Sequence, residues 1–155
     1  MKRLVAFYFV LTLSCAAGAG PKEAKSLRGL RRFDVLIEHL DADAESIGLN
    51  ADTLKVDVEL RLRTAGIKTV SDPEAPYVYV YITVLRIEAL RGAAYSVAVR
   101  VQSNVKIIQT GKMTNATIWE SGKIGTGSSV LLRDAVRKTI GGLVDQLTHD
   151  ILSVR

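Results

Sequence analysis

The chemistry open to this chain is bounded first by what it lacks. It has two histidines, His39 and His149, and a single cysteine, Cys15. A hydrolytic triad needs a nucleophile, a base and an orienting group, and a zinc centre needs three or four ligands at recognisable spacing. His39 falls in a strand-like run and His149 near the end of a helical pattern, and no motif surrounds either. Asp41, Asp43 and Glu45 alternate like the opening of an EF-hand calcium loop. Position six is Ser46 instead of glycine, however, and position twelve is Asp52 instead of a bidentate glutamate. A solvated strand-to-helix loop is the plainer reading, with calcium on these three carboxylates as the alternative. The run Gly122, Lys123, Gly125, Gly127 and Ser128 reads as a loop opening a helix, whose backbone amides could hold an anion. The lysine follows the wrong glycine for a P-loop and dinucleotide spacing is missing, so a flexible connection ending in a serine cap competes. No cofactor and no enzyme are expected.

The remaining residue types suited to recognition are rings and planar polar groups: Tyr77, Tyr79, Tyr81, Arg100, Gln102 and Trp119. Tyrosine, tryptophan and arginine contribute most at interfaces. Two strand-like runs joined at Leu90 to Ala93 position them. Val78, Val80, Ile82 and Val84 alternate with Tyr77, Tyr79, Tyr81 and Thr83, and Tyr95, Val97, Val99 and Val101 alternate with Ser96, Ala98, Arg100 and Gln102. Closing the loop with Ala89 opposite Ala94 sets Ile82 against Val101 and Val84 against Val99, with Tyr81 against Gln102 and Tyr79 against Asn104. A slip by one residue would put valines against the polar row. A third strand, Met113 to Ser121, paired with Ile108 opposite Met113, brings Trp119 beside Gln102 and into one row with Tyr81.

Two helices are legible beside these strands. Asn50 caps the first, Leu54, Val58 and Leu62 form its stripe, and Gly66 ends it. Leu132, Val136, Ile140, Leu143, Leu147 and Ile151 mark the second, interrupted by Gly141-Gly142, where close packing against the sheet is expected. Phe33 to Leu40 reads as a first, interior strand and Ile67 to Val70 as a short one. The fold class expected is α+β: an antiparallel-rich sheet of four to five strands with two helices packed on one face, leaving the ring-bearing face open.

Met1-Lys2-Arg3, the apolar run Leu4 to Leu13 and Ala17-Gly18-Ala19 together read as a signal peptide over residues 1–19. A basic tether follows over 20–32, then one domain over 33–155. Leu13-Ser14-Cys15 has the end of a lipobox, with Thr12 where leucine belongs, so Cys15 is either lipidated or removed. The net charge of +5 falls to +3 without Lys2 and Arg3. Part of the excess is Lys22, Lys25, Arg28, Arg31 and Arg32, a solvated lead-in or a contact for anionic head groups. The basic balance would ordinarily raise nucleic acid as a partner, and an open sheet with aromatics is how RNA-recognition modules stack bases. The export signal and the missing ribonucleoprotein signature exclude it.

The order strand, helix, strand, hairpin, strand, helix behind a signal peptide, with the segment Leu60-Arg61-Leu62-Arg63-Thr64-Ala65-Gly66-Ile67, resembles the small α+β domains of the bacterial envelope. These include the amino-terminal domain of TolB and the related domains of curli-secretion and penicillin-binding-protein-activator lipoproteins. The resemblance implies a non-catalytic role in envelope assembly through protein contacts. The expectation is a monomeric periplasmic binding or accessory module docking an envelope protein or glycan on the aromatic face, reaching a membrane only through its signal or a lipid on Cys15. The alternative is a periplasmic binder of a small molecule, an anion or calcium.

Overall fold

Alternation of branched and ring side chains over 77–107 builds the centre of a sheet. The structure, a computed structural model, describes residues 21–87, 92–128 and 130–155. In chain order these form α1 (Pro21–Ser26), β1 (Arg32–Ile37), α2 (Ala42–Ser46), α3 (Ala51–Thr64), β2 (Lys68–Thr69), β3 (Tyr77–Ile87), β4 (Gly92–Lys106), β5 (Met113–Ser128) and α4 (Leu132–Ser153). The five strands run in the order β2-β1-β3-β4-β5. The fold is α+β with an open mixed sheet, which corrects the antiparallel-rich expectation. β1 is parallel to both β2 and β3, and only β3, β4 and β5 alternate in direction. Parallel neighbours need a crossover, and α2 and α3 supply it between β1 and β2.

Val78, Val80, Ile82, Val84, Val97, Val99 and Val101 form one buried side of the sheet. Over it lie the long helices. Leu54, Val58 and Leu62 of α3 are buried, as are all six residues of the α4 stripe. The Asn50 side chain accepts from Thr53 N–H at 2.9 Å to start α3, and Gly66, at φ +75°, turns the chain out of it. Gly141 does mark a close approach, but to α3 instead of the sheet. A Cβ there would lie 2.6 Å from the Arg61 guanidinium, which donates to both Asp145 carboxylate oxygens at 3.0 and 2.9 Å.

Three further sequence expectations change in the segments flanking these elements. Residues 20–32 are not a loose tether, since α1 forms within them and Leu27 is buried in the core. The acidic stretch is helix α2, not loop. Its Asp41 caps the helix by accepting from Ala44 N–H at 2.7 Å. A carboxylate oxygen of Asp41 also accepts from Val84 N–H at 3.4 Å, and one of Asp43 from Arg86 N–H at 3.3 Å. These aspartates therefore satisfy β3 amides beyond the end of β1, which helps keep that stretch of strand edge from pairing elsewhere. The glycine-rich run is strand, not loop: Gly122, Lys123, Gly125, Gly127 and Ser128 all belong to β5, and α4 starts from Leu131 with no side-chain cap. Gly125 is needed there because a Cβ would stand 2.5 Å from the Tyr95 ring across the strand pair.

The hairpin register is also displaced. Ile82 pairs with Val97 and Tyr77 with Gln102, four residues from the expected match. Four is even, so the two valine rows still share a face, as the alternation requires.

Candidate functional site

On the far side of the sheet β3 presents Tyr77, Tyr79 and Tyr81, and β4 presents Gln102, Arg100 and Ala98 opposite them. Tyr77 donates its hydroxyl to Gln102 Oε1 at 2.6 Å, and its ring meets that of Tyr79 edge to face at 6.5 Å and 82°. The Tyr79 hydroxyl donates to the Glu38 carboxylate. Arg100 Nε donates to Glu120 Oε1 at 2.8 Å on β5. The polar half of this face is thus a set of satisfied cross-strand pairs, which holds the side chains in place.

Trp119 is not among them. The sequence expects it beside Tyr81, but it is 1% exposed and lies under α4, donating its indole N–H to Asp150 Oδ2 at 2.8 Å. The cause is a β-bulge. Gln102 pairs with Thr117 and Val101 with Trp119, so Ile118 is an extra residue and every later side chain of β5 changes face. Ser121 follows Trp119 inward, to a hydrogen bond with Gln146 at 3.1 Å. A signal for this existed in the sequence: unbroken alternation from Ile118 would have driven Glu120 into the core.

After the bulge Gly122, Ile124 and Thr126 share the open face with Ala98, Ser96 and Ala94. That gives a low floor of small residues with larger apolar groups standing from it: Tyr81 at 38% exposure, Leu85 at 62%, Ile124 at 78% and, on β1, Leu36 at 50%. Leu36, Leu85 and Ile124 were missed because two belong to runs that read as interior or loop, and the third continues the β3 alternation past its tyrosines. The two long helices, α3 and α4, pack on the valine side, away from this surface.

The other candidates do not assemble. Asp41 and Asp43 are engaged with backbone amides, and among the described residues no group of three His, Cys, Asp or Glu side chains is arranged to hold a metal ion. His39 is exposed at the rim of a hollow of about 590 Å³ with Glu38, Glu45 and Asp52, but Glu38 is engaged by Tyr79. A groove of about 640 Å³ between α3 and α4 is spanned by the Arg61–Asp145 pair and by Arg137 Nη2 to Asp57 Oδ2 at 2.7 Å. Cys15 lies outside the described residues.

No known family pattern matches the sequence, and no curated protein matches it. Among solved structures the chain is similar to a minor lipoprotein from Acinetobacter baumannii, at 15% identity over 80% of this chain and 94% of that one, with a TM-score of 0.39. It is also similar to PelC, solved as a dodecamer, from Paraburkholderia phytofirmans, at 15% identity over 78% and 88% of the two chains, with a TM-score of 0.42.

Proposed function

We propose that this chain is a non-catalytic accessory module, exported to the bacterial envelope by its first nineteen residues, that docks a protein partner on the open face of its sheet. The observation carrying this reading is the exposure of Leu36, Tyr81, Leu85 and Ile124 around a floor of alanine, glycine, serine and threonine. Burying such apolar groups contributes about 25 cal/mol per Å², and contiguous exposed apolar surface marks interaction sites. The satisfied pairs beside it supply a polar rim that needs no rearrangement on binding. A protein is favoured over a glycan because the most exposed side chains are aliphatic, while Tyr77 and Tyr79 are half-buried and hydrogen-bonded to Gln102 and Glu38.

The test places a photo-crosslinking residue at Ile124 or, for reference, at Leu60 on the outer side of α3. In the native envelope the Ile124 position yields one discrete adduct, which Tyr81→Lys abolishes without lowering the melting temperature. Adducts from Leu60 and none from Ile124 would refute the reading, and an adduct with glycan in place of protein would correct its partner.

A further inference from the structure

The β4–β5 hairpin outruns the sheet. β3 begins at Tyr77, opposite Gln102, so Ser103–Lys106 pairs with Met113–Ala116 and with no third strand. At roughly 3.3 Å per residue this carries the turn about 13 Å past the last three-stranded row. The turn is well formed: Ile107 N–H donates to the Lys112 carbonyl at 2.8 Å, Gly111 N–H to the Ile107 carbonyl at 2.7 Å, and Gly111 takes φ +70°. Its contents are unusual. Turns favour glycine, asparagine, aspartate and serine, but here Ile108 is 92% exposed, and Met113, which opens β5 opposite Lys106, is 64% exposed.

The hairpin tip itself carries charge of one sign, while the loop entering β3 at the same end carries Glu74, which is exposed, and Asp72, which pairs with Arg32 at 3.6 Å. Lys106 and Lys112 flank the apex, both exposed, and the sequence holds no aspartate or glutamate between Glu88 and Glu120. Because β1 runs parallel to β3, the chain enters the sheet at this same end. Lys68 N–H donates to the Arg31 carbonyl at 3.1 Å there, and both side chains are exposed. Among the described residues none of these four cations is ion-paired with a carboxylate.

We propose that this end of the molecule seats on an anionic phospholipid bilayer, with the hairpin tip entering the interface. Apolar side chains ringed by lysines are what that boundary accepts: the hydrocarbon groups enter a few ångströms, and the lysine stems follow while their ammonium groups stay with the phosphates. Charge complementarity selects the occupant, since the hairpin tip carries two unpaired lysines and no carboxylate, which suits a surface of uniform negative sign, with Arg31 and Lys68 unpaired at the same end across the sheet. The inference is independent of the open face, which is built from the central rows of the sheet and not from this ribbon.

The experiment uses the full chain with Cys15→Ser and Ile108→Cys, the new thiol carrying a polarity-sensitive fluorophore, and a second preparation labelled at Leu60→Cys. Each is titrated with vesicles of phosphatidylglycerol and of phosphatidylcholine. The label at 108 shifts to the blue and is quenched by a lipid-borne quencher with phosphatidylglycerol only, while the label at 60 does not respond. Replacing both flanking lysines, Lys106→Gln and Lys112→Gln, raises the half-saturating lipid concentration about thirtyfold. A label at 108 that stays in water with both vesicles, equal responses at 108 and 60, or equal responses to the two lipids would each overturn the proposal.

Discussion

Trp119 is the only tryptophan in the chain, so its placement can be tested without ambiguity. It is 1% exposed, packed between β5 and α4, with its N–H on Asp150. Trp119→Ala removes the largest buried side chain and leaves a cavity, a change that costs about 3–5 kcal/mol. Against a stability of about 5–15 kcal/mol for a natural domain this is a large fraction, and it corresponds to a fall in melting temperature on the order of 10–20 °C. Trp119→Phe keeps a ring but leaves Asp150 without its donor. Asp150 is half-buried and partly regains water, so most of the expected loss is the hydrogen bond to a charged group, about 1.5–3 kcal/mol. Urea denaturation measures both variants, and a cycle with Asp150→Ala isolates the pair. The native protein should emit in the blue and resist acrylamide. Free quenching, with a Trp119→Ala stability within about 0.5 kcal/mol of the parent as for an ordinary surface site, would refute the bulge and the burial it causes.

Three further outcomes follow from named contacts. Gly125→Ala pushes a methyl into the Tyr95 ring, whose hydroxyl is hydrogen-bonded to Thr139 at 3.1 Å; it should cost about 1–3 kcal/mol in denaturant unfolding, and add almost nothing in a Tyr95→Ala background. Asp41→Ala should cost about 1–2 kcal/mol through the lost helix cap, with Asp41→Asn in between because one oxygen cannot accept from both Ala44 and Val84; amide exchange at Val84 should quicken in both. The Arg137–Asp57 and Arg61–Asp145 pairs are well formed but largely exposed, so double-mutant cycles should return under about 1 kcal/mol for each, falling further in salt.

Local rules carried much of the architecture. The Asn50 cap, the Gly66 stop and both helical stripes are interactions between residues a few positions apart, and so the sequence displays them directly. The valine rows survived an error of four residues in register because pleat parity depends only on odd against even. The site was less legible. Tyr77, Tyr79, Tyr81, Arg100 and Gln102 do share the open face, whereas Trp119 left it because one inserted residue, Ile118, reversed the alternation. The glycine run looked like a loop because nothing local says that Tyr95 lies across Gly125.

By itself the sequence determined which side chains alternate, where α3 begins and ends, and which stripe of α4 faces the core. Tertiary structure alone decided the parallel placement of β1, the use of Asp41 and Asp43 on the amides of β3, the burial of Trp119 and the reach of the hairpin beyond the sheet. The reason is physical. Each of these depends on a partner tens of residues away, and periodicity records the environment of a residue without recording which distant group supplies it.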